Sequence, residues 1–213
     1  MPFTLLKHML VDAVASAIAA SGFTKHGGQE FQKRYEWGCA EIHLSFIEHD
    51  HDFDVTVDVG IRFDAVEDLV HRNNKLLTAK EKANTFSMGG ELGNLMEGKP
   101  VRWTVASEVD VSNVAEEIWE RIADTAIPYV EQYGDMNRAI EILSSDERAA
   151  WIHSPIHGER AKRAVALAIL LRDDRQAHCL INAKLTFLRA RKDFGLADFE
   201  AFVDSLQEFS GNE

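Results

Sequence analysis

The densest group of side chains able to do chemistry is Glu48-His49-Asp50-His51-Asp52, with Asp54 close behind. Imidazole and carboxylate suit zinc, iron or nickel, so His49, His51 and Asp52 are candidate metal ligands. A metal-dependent hydrolase or small-ligand enzyme built on the His49–Asp54 turn is one reading of the chain. Alternation along an extended segment sends the two histidines one way and the acids the other, which is also the make-up of a solvated hairpin tip. Gly93-Asn94-Leu95-Met96-Glu97-Gly98-Lys99 has the glycine-four-residues-glycine-lysine spacing of a phosphate loop. Pro100 stands where the magnesium-binding hydroxyl belongs and a strand follows instead of a helix, so the segment reads as a surface loop. His153 and His157 are four apart, but Ser154-Pro155 between them marks a helix start and splits the pair. Neither Cys39 nor Cys179 has a base placed to activate it. No cofactor motif is complete and none is expected.

Strands must carry most of these groups. Phe31 to Trp37 has aromatics on alternate positions, Gly38-Cys39 can turn, and Ile42, Leu44 and Phe46 alternate next. Phe53, Val55, Val57, Val59, Ile61 and Phe63 point one way while Asp52, Asp54, Thr56, Asp58 and Arg62 point the other. A turn at Asp50-His51 pairs Phe46 with Val55, Leu44 with Val57 and Ile42 with Val59, so the apolar faces agree. The same register sets His43 beside Asp58, and the first hairpin brings Arg34 next to His43. Arg34, Glu41, His43, Asp54 and Asp58 are therefore a candidate partner-binding face.

The remaining elements read as helices. Phe3 to Ser21 has one apolar stripe and stops at Gly22. Asp64 to Leu77 is a second helix, residues 78 to 99 a glycine-rich loop, and Val101 to Val105 a fourth strand. A long helix runs from an N-cap at Ser112 to Tyr133, with Pro128 expected to kink or divide it. After Gly134 the strand signal vanishes. Ser144 and Glu147 suggest a capping box, and amphipathic segments occupy 156 to 172, 175 to 192 and 196 to 209. The expected fold class is α+β, an antiparallel meander sheet covered on one face by helices and followed by a helical C-terminal region. The expected domains are 1–133, a sheet-and-helix domain, and 134–213, a helical region packed on it or separate.

Charge narrows the partners. The chain has 213 residues, 23 Lys and Arg against 35 Asp and Glu, and a net charge of −12. Such a balance disfavours nucleic acid, whose phosphates need neutralising. The charge is uneven, however. Residues 36 to 68 hold ten acids against Arg62 alone, and residues 155 to 193 hold nine bases against four acids. If 156–172 and 175–192 pair antiparallel, Arg160, Lys162, Arg163, Arg189, Arg191 and Lys192 form a basic stripe that could meet the acidic sheet of a second copy. The longest apolar runs stop near eight residues, so no membrane span is expected. Asp12 interrupts the apolar core that a secretory signal would need. Two distant cysteines suit a reducing cytoplasm.

Several features together resemble an uncharacterised bacterial family of unknown function, the DUF4304-like proteins. They are a leading helix ending in Ser21-Gly22-Phe23-Thr24-Lys25, a strand from Phe31 to Tyr35, another near Leu44-Ser45, and an aliphatic strand ending in Gly60-Ile61. Gly90-Glu91-Leu92-Gly93-Asn94-Leu95 then precedes the strand at Trp103. The resemblance covers about residues 3 to 133. This sequence has Arg102-Trp103 where such proteins often show paired tryptophans. The resemblance implies an α+β sheet-and-helix domain and a structural loop at Gly93 to Lys99, and it implies no catalytic residues.

Weighed together, the residues favour a non-enzymatic cytoplasmic interaction protein whose acidic sheet face binds a protein partner with a basic surface, toxin neutralisation being one example. The metal-dependent hydrolase on the His49–Asp54 turn is the alternative, and homo-oligomer formation a third.

Overall fold

Leu6, Leu10, Val11, Val14 and Ile18 recur at three- and four-residue spacing, and they are the buried stripe of helix α1 (Phe3–Ile18) in the computed structural model, which describes residues 2–210. A 3-10 turn over Ala19–Ser21 and the left-handed Gly22 (φ 85°) end the helix. Phe3–Ser21 is 19 residues with a hydropathy of 1.4, enough by length and composition to cross a membrane, which corrects the expectation of no such segment. Reading uninterrupted apolar runs missed it, because Lys7 and Asp12 break the runs without lowering the mean far. In the structure its apolar side lies against a sheet.

That sheet has six antiparallel strands in an α+β fold. Strands β1 (Thr24–Lys25), β2 (Glu30–Tyr35), β3 (Gly38–Glu48), β4 (Phe53–Phe63) and β5 (Met88–Glu91) follow one another across it, and β6 (Trp103–Val105) pairs with β4. In β4 the alternation is clean: Phe53, Val55, Val57, Val59 and Ile61 are buried, whereas Asp54, Thr56 and Asp58 keep some exposure. Phe53 meets Phe3 of α1 edge-on at 5.9 Å between centroids and Phe46 of β3 at 5.5 Å. The Lys7 ammonium lies over both sheet rings, at 5.3 and 5.5 Å, and pairs with Glu48. The polar face of the strands is thereby left to other uses.

The first hairpin departs from expectation. Tyr35 pairs with Gly38, so the turn is Glu36-Trp37, with the Tyr35 and Trp37 rings stacked at 4.6 Å and Gly38 at φ 149°. Arg34 therefore faces Cys39, and Glu30 faces His43. A two-residue turn with glycine just beyond it fits the strand twist better than a turn at Gly38-Cys39. Arg34 and His43 stay on one face but stand four positions apart, roughly 13 Å along the strand. The expected Arg34–His43 contact is not formed.

Residues 78 to 99 also contain more order than a glycine-rich loop. Thr78 and Glu81 make a capping box for α3 (Ala79–Ala83), β5 follows, and α4 (Leu92–Glu97) ends at left-handed Gly98. Gly89 explains why a strand can hide in this sequence, since a Cβ there would stand 2.3 Å from the Val59 carbonyl oxygen. Helix α5 (Glu108–Arg121) begins five residues earlier than expected, at a Ser107–Asp110 capping box. A π turn over Ile122–Ala126 then joins it to α6 (Ile127–Tyr133). The wide turn sits just before Pro128, whose ring and missing N–H cannot fit a regular helix, so the proline divides the helix as expected.

The chain forms two compact units, Met1–Ile61 with Gly89–Gln132 and Arg62–Met88 with Tyr133–Glu213. The fading of the strand signal suggests a single cut near 133, but α2 (Asp64–His71) packs on the helices of the second unit. Those are α7 (Met136–Leu143), α8 (Ala150–His153), α9 (His157–Leu170), α10 (Asp174–Arg191) and α11 (Leu196–Ser210). The expected Ser144–Glu147 capping box is absent: Ser144 closes α7, and the Glu147 N–H donates to Ser145 Oγ. Helix α9 is central, packed on α2, α7, α10 and α11. Its alanines let neighbours approach closely, and almost every side chain from Arg160 to Ala168 is buried.

Half of the expected basic stripe is consequently not a surface, whereas Arg189, Arg191 and Lys192 are exposed. Arg160, Lys162 and Arg163 are 1, 2 and 8% exposed. Lys162 is paired with Glu159 at 2.6 Å and Asp198 at 2.5 Å. Arg163 Nε donates to Glu67 Oε1 at 2.8 Å, and Ser87 Oγ donates to the same oxygen at 2.9 Å. Burial alone would raise the Glu67 carboxyl. His71, 3.2 Å away, and the charge and hydrogen bonds of Arg163 outweigh it and hold the group far below the usual carboxylate range.

Candidate functional site

On the polar face of the first unit, strands β3 and β4 hold a chain of hydrogen bonds. Gln29 Nε2 lies 3.1 Å from His43 Nε2, and Ser45 Oγ lies 3.3 Å from His43 Nδ1. An amide nitrogen can only donate, so His43 carries its proton on Nδ1 and gives it to Ser45 Oγ. The Ser45 hydroxyl then donates to Asp58. The order Gln29, His43, Ser45, Asp58 links one strand pair from the Gln29 amide to the Asp58 carboxylate.

Around Asp58 the charges are alike. Glu41 is half-buried beside Glu30, and burial together with the Glu30 charge pushes its carboxyl from 4.5 up to about 7. Asp58 is also raised, by burial first and by the Glu91 charge second, against the lowering effects of His43 and Ser45. Glu91 is anchored by the backbone N–H groups of Gly93, Asn94 and Val101. Burial is the largest influence on both Glu41 and Asp58, and Glu30 and Glu91 add like charge beside them. Desolvated carboxylates beside like charge are costly to keep ionised, and an incoming cation relieves that cost.

The other expected members behave differently. Asp54 is already engaged: Thr104 Oγ1 donates to it at 2.8 Å, His49 Nε2 lies at 3.2 Å and Arg102 Nη1 at 3.8 Å. The Thr104 bond, then His49 and Arg102, hold its carboxyl below the usual range despite some burial. Asp54 is therefore a poorer anchor than Asp58 for an outside cation. Arg34 lies at the far end of the face, opposite Cys39. The turn closes at Asp50-His51 as expected, with the His49 N–H donating to the Asp52 carbonyl at 2.9 Å. His51 is exposed while His49 turns to Asp54, so the two do not converge with Asp52. Among the described residues no three His, Cys, Asp or Glu side chains come together as a metal site requires.

The phosphate-loop spacing falls on α4 itself. Its N-terminal amides are taken by the Glu91 carboxylate, which occupies the place an incoming phosphate would need, and Lys99 pairs with Glu97 at 2.9 Å. A surface cavity of about 410 Å³ is lined by Glu97, Glu117 and Glu120 against Arg102 and Arg121, with Trp103 below. Its opposed charges largely offset one another.

Sequence reading missed Glu30, Gln29 and Glu91. The Tyr35-Glu36-Trp37-Gly38 turn, read correctly, sets Glu30 opposite His43 and so finds the first two. Glu91 had no such signal, since nothing marks β5 as a strand. Comparison with family models, curated proteins and solved structures found no match for this chain.

The Glu41 carboxyl gives a pH-dependent expectation. Its folded value lies above its unfolded one, so the folded state binds the extra proton, and stability falls as pH rises from about 4.5 to about 7. Glu41→Gln removes that loss and stabilises the protein above pH 7 by roughly 1–2 kcal/mol, after discounting for solvent at a half-buried group. Urea unfolding at pH 5 and pH 8 checks this. Equal stability of variant and wild type at pH 8 would contradict it.

Proposed function

We propose that this protein is a non-enzymatic interaction module whose polar sheet face, centred on Glu41 and Asp58, docks a basic surface of a protein partner. The observation that carries the reading is the pair of half-buried carboxylates on neighbouring strands, Glu41 beside Glu30 and Asp58 beside Glu91, both raised by burial and like charge. A lysine or arginine from a partner would pair with both and return the desolvation cost as binding energy. The concentration of ten acids between residues 36 and 68 would steer such a partner from a distance. A basic toxin is one partner of this kind. Cys39 and Cys179, neither of them in a disulfide, suit a cytoplasmic setting.

Calorimetric titration with an oligo-arginine peptide at low salt tests the reading. Saturable binding is expected, weakened at least about tenfold in Glu41→Gln/Asp58→Asn. Asp54→Asn is expected to cost much less, because Asp54 already has internal partners. Equal affinity of the Glu41/Asp58 variant and wild type would overturn the proposal, as would equal loss on Asp54→Asn.

A further inference from the structure

Arg160 is an uncommon side chain in the second unit. It is 1% exposed, yet among the described residues no carboxylate stands within ion-pair distance. Its nitrogens donate to Ser154 O at 2.5 Å, to Ser145 O at 3.3 Å and to His157 Nδ1 at 2.8 Å. The nearest acids are committed elsewhere: Asp146 holds Lys184 at 2.6 Å, and Asp193 accepts the Gly195 N–H at 2.8 Å. A buried guanidinium bonded only to neutral groups has its charge offset only at longer range, here by Asp146 and Asp193.

That charge is passed outward. Arginine can only donate, so His157 Nδ1 must accept and its proton sits on Nε2. Burial first, and then the Arg160 charge, keep the ring neutral by lowering its basicity. Arg191 acts the same way, against Asp193 and Asp146. The Nε2–H, polarised from behind, has no acceptor among the described residues. His157 also stands at the first turn of α9, where the N-cap residue Ile156 offers no side-chain acceptor.

Around this donor are rings. Trp151 of α8 meets the His157 ring edge-on at 5.3 Å, and Phe187 of α10 meets it at 5.2 Å. Arg191 lies over Phe187 at 5.3 Å. Trp151 is 41% and Ile156 45% exposed, so the cluster opens to solvent. Donors with positive charge behind them, beside a flat apolar platform, match a ligand that is anionic at one end and flat at the other.

We propose that the Trp151–His157–Phe187 cluster, backed by Arg160 and flanked by Arg191, binds an oxyanion carried on an aromatic ring, an aryl phosphate or aryl carboxylate. The oxyanion accepts from His157 Nε2–H and Arg191, and the ring stacks on Trp151. No covalent step is involved.

Phenyl phosphate, benzoate and inorganic phosphate are the probes, followed by histidine-selective ¹⁵N NMR and by tryptophan fluorescence. Phenyl phosphate or benzoate is expected to shift the His157 Nε2 resonance saturably below about 10 mM, with inorganic phosphate at least about tenfold weaker. Read by tryptophan fluorescence, His157→Phe should abolish saturable binding, and His157→Gln, whose side chain carries both an acceptor and a donor, should keep part of it. Trp151→Ala, at an exposed position, should weaken the aryl probes about tenfold without changing inorganic phosphate, and covers the case in which His157→Phe does not fold. Absence of saturation in wild type, equal affinity for inorganic phosphate, or unchanged binding in Trp151→Ala would overturn the proposal.

Discussion

Replacing Arg163 with methionine is expected to destabilise the protein by about 3–5 kcal/mol, or roughly 10 °C in Tm. Glu67 is fully buried, and Arg163 supplies a hydrogen bond to each of its oxygens, at 2.8 and 3.2 Å. Removing the guanidinium leaves a buried carboxylate with Ser87, His71 and Thr85 beside it but no arginine. Methionine keeps most of the volume, so the loss is electrostatic instead of a cavity effect. The double variant Glu67→Gln/Arg163→Met should recover much of the loss, because the stranded charge is gone. The pH dependence has a defined sign. A carboxyl held below its ordinary value adds stability above that value, and this is lost as pH falls into the acid range below about 4. Arg163→Met should therefore lose more near neutrality than in acid. Denaturant unfolding at pH 7 and pH 3 measures both, and a loss under about 1 kcal/mol at pH 7 would show that solvent reaches the pair.

Phe53→Ala is the second large effect, expected at about 3–5 kcal/mol. The ring is fully buried at the start of β4, where α1, β3 and β6 meet: Phe3 and Phe46 pack edge-on against it, Lys7 lies over it, and its backbone pairs with Val105. Truncation removes the buried area and both edge contacts, each worth about 0.5–1.5 kcal/mol beyond area. Phe53→Leu should recover more than half of the loss. Hydrogen exchange should accelerate in β4 and β6 of the alanine variant, and a loss below about 1 kcal/mol would mean that α1 is not anchored there.

Legibility in the sequence followed the strength of local periodicity. The β4 alternation from Phe53 to Phe63 and the α1 stripe from Leu6 to Ile18 were read directly, because each pattern repeats over many residues. The first hairpin failed on one choice of turn, and that choice displaced Arg34 from His43 and hid Glu30. Strand β5 was invisible because its glycines serve the close approach of Gly89 to Val59, a tertiary need with no periodic signature. The helical cations misled for another reason. Charge marks a surface only on average, and α9 buries Arg160, Lys162 and Arg163 because acids from α2 and α11, or backbone carbonyls, receive them. The acidity of β3 and β4 was legible as composition, but how strongly each acid is held by its neighbours was not. Only the fold separates Asp54, occupied by Thr104, His49 and Arg102, from Asp58 and Glu41.

The docking role of the sheet face rests on Glu41 receiving a cation. Carbon-detected NMR titration of the Glu41 carboxyl, alone and with saturating oligo-arginine peptide, measures that event at the atom concerned. Its midpoint is expected near 7 in the free protein and closer to an ordinary glutamate in the complex, with protons released on binding at neutral pH. A midpoint that does not move when the peptide binds would contradict the account.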